Sequence, residues 1–250
     1  MEVVEHVAAL RGDGALLAEA ASGAGLDAPV PYCPSWRVRN LVGHIGGVHR
    51  WAAAYVDGAR PRPMDDEDER RIMAPPDDDG ALADWFVEGH AHLVKTLEAA
   101  PADLACWSFL PAPSPLAFWA RRQAHETAIH RADAQGAGGP VTPFPPLFAA
   151  DGLDELLWGF ASRRNGRLRA DPPRRLHLHA TDTGADWLVR VEPDRIAVSR
   201  EAGDADWSVR GPASDLYLLL WNRLGTDGLE VHGDPAMLDL WRKSVRVRWS

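Results

Sequence analysis

Near residue 140 the apolar pattern of this 250-residue chain changes period, and that change constrains the fold more than any other feature. Before it, apolar residues recur at helical spacing in long stretches. After it, LHLHAT (176–181), DWLVRV (186–191), RIAVSR (195–200) and DWSVRG (206–211) alternate with period two, as half-buried strands do. Charge divides at the same place. Residues 1–140 hold 20 acidic and 12 basic side chains, whereas residues 141–250 are almost balanced at 16 and 15. The pattern predicts two bodies, an all-α unit over 1–145 and a smaller α+β unit over 146–250.

Helices are expected at Val3–Ala21, Trp36–Val56, Ala81–Ala100 and Leu116–Gln135. The first is weakened by Gly12 and Gly14; the second is capped by Ser35 and stopped at Gly58. Four helices with long connections read as a bundle. Residues 58–79, with two acidic runs and four prolines, read as an exposed loop. In the second half a short helix at Leu147–Ser162 precedes four strands, which read as an antiparallel meander. A helix at Ala213–Leu224, a strand near Leu229–His232 and a helix at Pro235–Val245 follow.

Several classes are set aside by composition. A net charge of −9 without a basic stripe disfavours nucleic-acid binding. No run approaches 18 apolar residues and Met1–Leu10 carries no basic-then-apolar signal, so the expected location is the cytoplasm, with no membrane partner. Cys33 and Cys106 lie in no CxxC and suggest no disulfide framework.

The chemistry concentrates in HETAIHRADAQ, residues 125–135. Glu126 and His130 are four apart and stack on one helical face, with Trp119, Gln123 and Asp133 continuing the stripe. A carboxylate and an imidazole suit zinc or another divalent ion, although a hydrogen-bonded surface pair is the simpler reading of two residues alone. A third donor is available in WRVRNLVGHIGGVHRWAAAYV, where Leu41, Ile45, Val48, Ala52 and Tyr55 form one broad apolar face. His44 and His49 stand about 140° apart at the borders of that face, at about 100° per residue, so they do not readily share an ion. His44 is the better ligand and His49 a packing or hydrogen-bonding residue. Gly43, Gly46 and Gly47 leave space for a neighbouring helix or a ligand. Trp119 is the expected wall of a pocket, and Arg131 is expected to face away and meet a loop acid. His177 and His179 share a strand face, which ordinary alternation explains.

LVGHIGGVHRWA together with HETAIHRADAQ resembles the mycothiol-dependent maleylpyruvate isomerase family, with looser support from WSVRGPASDLYLLLWNRL. The resemblance implies a DinB-like four-helix metal-binding bundle followed by a small sterol-carrier-like α+β domain with an antiparallel sheet. It implies zinc held by His44, Glu126 and His130, and mycothiol as the thiol cosubstrate. It also implies a cation for an acidic substrate, here Arg223, whose simpler reading is an arginine on the C-terminus of its own helix. The expected function is a zinc-dependent isomerase or thiol transferase acting on a small electrophile. The alternative is a non-enzymatic, metal-containing protein that binds a small ligand.

Overall fold

The computed structural model describes residues 1–163 and 166–245. The chain forms two compact units, Met1–Thr142 and Pro143–Ser250.

The first unit contains α1 (Val3–Ala24), α2 (Val38–Asp57), α3 (Asp66–Met73), α4 (Asp79–Ala99) and α5 (Pro115–Gly138). Helix α1 packs along α5 and α2 along α4, while α1·α4 and α2·α5 contacts close the ring. The apolar face anticipated on α2 is the buried one: Leu41, Ile45, Val48, Ala52 and Tyr55 are all inaccessible. Gly47 permits a close approach beside it, because a Cβ there would stand 2.6 Å from the Met73 carbonyl oxygen. The glycines of α2 therefore admit neighbouring protein.

Helix α5 starts at Ser114, whose hydroxyl accepts from the Ala117 amide at 3.1 Å, with Pro115 in the first turn. It is buried on every side. Arg122, Gln123, His125, Glu126, Thr127, His130, Arg131 and Asp133 are all inaccessible along with its apolar residues. Buried polar groups are costly unless partnered, so α5 requires a network around it.

The 58–79 segment departs from the loop expectation because it contains α3. Asp65 caps it, accepting from the amides of Glu67 (3.1 Å) and Asp68 (2.8 Å). Asp66–Glu69 occupy the first turn and Arg70 and Arg71 the last, so the charges complement the helix dipole. The acidic run is a solvated face, on a helix.

The long 101–114 connection folds back onto an aromatic cluster of Trp51, Tyr55, Trp107, Phe109, Phe118 and Trp119. Trp119 stacks on Tyr55 at 5.1 Å, and its indole N–H donates to the Trp107 carbonyl at 2.9 Å. Fully buried there, Trp119 builds core and lines no pocket, contrary to expectation. Six of the large aromatic side chains of this half are thereby accounted for by packing.

In the second unit α6 (Pro146–Asp154) continues into a π-helical segment, Glu155–Ala161. Then come β1 (Arg174–Ala180), β2 (Ala185–Val191), β3 (Ile196–Ser199), β4 (Trp207–Gly211), α7 (Ala213–Leu220), β5 (Glu230–Gly233) and α8 (Ala236–Ser244). The sheet order is β3-β2-β1-β4-β5. Three pairings are antiparallel, but β4 runs parallel to β1 instead of continuing a meander beside β3. Asp206 fixes that placement, its carboxylate accepting from the Arg175 amide at 2.7 Å and its own amide donating to the Arg175 carbonyl at 3.0 Å. Leu176, Leu178, Ala180, Trp187, Val189, Val191, Trp207 and Val209 form the buried face, against which α7 packs. No helix among the described residues is long and apolar enough to cross a membrane, and both cysteines are free thiols.

Candidate metal centre

Helix α2 presents His44, and α5 presents Glu126 and His130 one turn apart. Their donor atoms all lie within 4.8 Å of one another. Glu126 Oε1 is 3.2 Å from His130 Nε2 and 3.6 Å from His44 Nε2, and the two imidazole rings meet edge-on with centroids 5.1 Å apart. Glu126 Oε2 accepts from the Arg122 guanidinium at 2.9 Å. His130 Nδ1 donates to Asp133 Oδ2 at 3.0 Å. Trp36 covers the group, its ring 5.0 Å from that of His44 and stacked at 6.1 Å on that of His130.

These neighbours set the protonation. Burial alone would push the Glu126 carboxyl up, but the Arg122 guanidinium and the His130 and His44 rings hold it well below the ordinary carboxylate range. Burial likewise disfavours a charged His130, yet the Asp133 and Glu126 carboxylates raise its pKa to about 9.

The donors fit a divalent ion. Two imidazole nitrogens and one carboxylate oxygen are a borderline set suited to zinc or a related metal. His44 Nε2 is buried and has no hydrogen-bond partner among the described residues. A polar atom in that condition costs about 1–3 kcal/mol unless something satisfies it. The carboxylate behind His130 is the arrangement that orients a ligating imidazole. Asp133 was legible as part of the stripe but not in this role. Arg122 carries a readable signal as the residue four before Glu126, whereas Trp36, expected as the first residue of the second helix, precedes it, because α2 starts at Val38 with Arg37 as its N-cap.

The other anticipated residues have partners of their own. His49 is fully buried, its Nε2 2.8 Å from Thr127 Oγ1. Burial, then the neighbouring His90, drives its pKa well below the ordinary value, so it is neutral. Arg131 pairs with Asp13 at 3.3 Å, an acid of α1 instead of a loop, and donates to Thr142 Oγ1 and O at 2.8 and 2.9 Å. Arg223 belongs to the second unit, beyond the end of α7, which stops at Leu220 short of the expected Leu224, and donates to the Trp221 carbonyl at 2.7 Å.

Asp13 gives a pH dependence to the bundle. Burial pushes its carboxyl from 3.8 up to about 6, with Arg131 pulling it part of the way back. Because the folded value lies above the unfolded one, the stabilising contribution is complete below about pH 3.8 and is lost as pH rises through about 6. Asp13→Asn cannot ionise. Wild type is therefore expected to lose roughly 2–3 kcal/mol relative to this variant between pH 4 and pH 7, at about 1.4 kcal/mol per unit. Denaturant unfolding at the two pH values measures it, and a pH-independent difference would contradict the assignment.

Comparison with known proteins follows the same division of the chain. Residues 7–135 match the mycothiol maleylpyruvate isomerase N-terminal domain, and residues 148–240 match the MDMPI C-terminal domain. No curated protein matches. Crystal structures of the mycothiol-dependent maleylpyruvate isomerase and of a histidine-to-alanine mutant of it superpose with TM-scores of 0.64 and 0.65. Each is 15% identical and the match covers 92% of this chain and 93% of that one, a likeness of fold.

Proposed function

The chain belongs to the mycothiol maleylpyruvate isomerase family, and we propose that it is a metal-dependent enzyme that uses a low-molecular-weight thiol, mycothiol, on a small electrophilic substrate. The observation that carries this reading is the convergence of His44 Nε2, Glu126 Oε1 and His130 Nε2, with His44 Nε2 buried and without a hydrogen-bond partner among the described residues. His44, Glu126 and His130 would hold a divalent ion, zinc by donor type, whose charge would favour the thiolate form of a bound thiol near neutral pH.

The chain's own residues do the rest. Three protein donors, one fewer than a closed structural site, leave a place for an exogenous sulfur. Arg122 occupies Glu126 Oε2 and so leaves Oε1 turned to the two imidazoles. Asp133 holds His130 Nδ1 and leaves Nε2 for the centre. Trp36 shields one side of the two rings from water. Reversible addition of the thiolate to a double bond gives cis–trans isomerisation, and displacement of a leaving group gives S-transfer.

Gln123 leaves a cost inside the bundle. Its side chain is fully buried on the His130 stripe, and neither amide atom has a hydrogen-bond partner among the described residues. Gln123→Leu removes that unsatisfied amide. It is expected to raise stability by about 1–3 kcal/mol in denaturant unfolding. A destabilised variant would refute this.

The test of the whole reading is mycothiol binding by calorimetry to zinc-loaded and chelator-stripped protein. Binding is expected only to the loaded form; equal binding, or none, ends the proposal. The Arg223 assignment rests on the family resemblance, so Arg223→Ala belongs in the same series. It should raise KM for an acidic substrate and leave thiol binding intact.

A further inference from the structure

The helices of the bundle pack chiefly as two pairs, α1 with α5 and α2 with α4. The candidate ligands divide between them, His44 on α2 and Glu126 and His130 on α5. Their separation is therefore set by how one pair sits on the other. Two buried hydrogen bonds cross that seam. His49 Nε2 of α2 lies 2.8 Å from Thr127 Oγ1 of α5, and both side chains are fully buried. His90 Nε2 of α4 donates to the Leu10 carbonyl of α1 at 3.0 Å. The two imidazole rings are 5.4 Å apart and lean on Phe86 at 5.6 and 6.1 Å, so one polar layer touches all four helices. Burial holds the pKa of each histidine below its ordinary value, which makes both neutral hydrogen-bonding groups.

The layer comes at a cost. His49 Nδ1 is buried with no hydrogen-bond partner among the described residues, a penalty that an apolar side chain would avoid. Gly14, unfavourable inside a helix, stands where a Cβ would lie 2.1 Å from His90 Nε2. Apolar contacts across a helix seam are non-directional and tolerate sliding, whereas a hydrogen bond fixes distance and angle. Resting on the metal reading above, we propose that His49 is a positioning residue of the metal centre, which sets through Thr127 where His44 meets Glu126 and His130. His49 stands five residues after His44, about 7.5 Å along α2, and Thr127 directly follows Glu126. Loss of the bond lets α2 slide or turn against α5. His44 Nε2 is then carried away from Glu126 Oε1, from which it stands 3.6 Å.

The test compares zinc affinity with stability in the full chain. His49→Leu alone strands the Thr127 hydroxyl. The decisive protein is His49→Leu/Thr127→Val, which leaves no polar partner behind and should unfold in denaturant close to wild type. Its zinc dissociation constant, measured by calorimetry, is expected to rise at least about tenfold, as when a group supporting a ligand is removed. Cobalt in place of zinc should show shifted visible absorption bands, which report ligand geometry. Thr127→Ser keeps the hydroxyl and should match wild type in both measurements. Should the double variant fail to fold, the conservative Thr127→Val decides by the same two readouts. Wild-type affinity and cobalt bands in the decisive variant would overturn the role of His49. So would a zinc affinity that merely follows stability across the series, or a loss in Thr127→Ser as large as in the double variant. Wild type that binds no zinc would instead end the metal reading itself.

Discussion

Replacing His44, Glu126 or His130 with Ala is expected to strip the bundle of its metal and to reduce thiol-dependent turnover to background. A four-ligand structural zinc site is worth about 10–16 kcal/mol in apparent binding, so each ligand carries roughly 3–4 kcal/mol, on the order of 10²–10³ in affinity. With three protein donors instead of four, each would carry a larger share of the binding. Asp133→Asn is expected to be milder, about 10–100-fold, since it loosens the orientation of His130 without deleting a donor. Glu126→Gln is the better carboxylate variant, because it preserves volume beside the buried Arg122. Metal analysis of the purified variants, with circular dichroism to confirm folding, decides the matter. Full occupancy in any one of the three removes that residue from the ligand set.

The sequence was most informative where one face of an element is solvated. The apolar stripe of α2 and the alternation of β1 and β2 are visible because each has a wet side and a dry side, and both set the buried face correctly. Alternation fixes a face but not a neighbour. That is why β4 was expected in a meander and lies instead parallel to β1, where Asp206 reaches the Arg175 backbone. Helix α5 has no wet side, so its polar stripe had to be read from residue chemistry. That reading brought Glu126 and His130 together with His44, but it placed Trp119 at a pocket when tertiary packing puts it among Tyr55, Trp51 and Phe118. Trp36 precedes α2, and its place over His44 and His130 follows from the packing of α2 on α5, which no local pattern encodes.

Arg122 offers the second large effect. Its side chain is fully buried and pairs with Glu126, itself only 4% exposed. Removing Arg122 leaves the buried Glu126 carboxylate with only the His130 and His44 rings to offset its charge, so Arg122→Met is expected to cost about 3–5 kcal/mol in the metal-free protein. The Arg122→Met/Glu126→Gln double variant strands no charge and should recover most of that loss, which separates the charge effect from any packing defect at residue 122. The ion adds a further contrast. In wild type, Arg122 already neutralises Glu126 and repels an incoming cation. In Arg122→Met the ion becomes the sole strong positive partner of that carboxylate. Zinc should therefore stabilise Arg122→Met by more than it stabilises wild type, and the destabilisation measured with zinc present should be smaller than that measured without it. Thermal and denaturant unfolding of wild type, Arg122→Met and the double variant, with and without zinc, test both statements. An Arg122→Met penalty that is the same in the two conditions would mean that the ion does not bind at Glu126, and the metal centre built on that residue would fall with it.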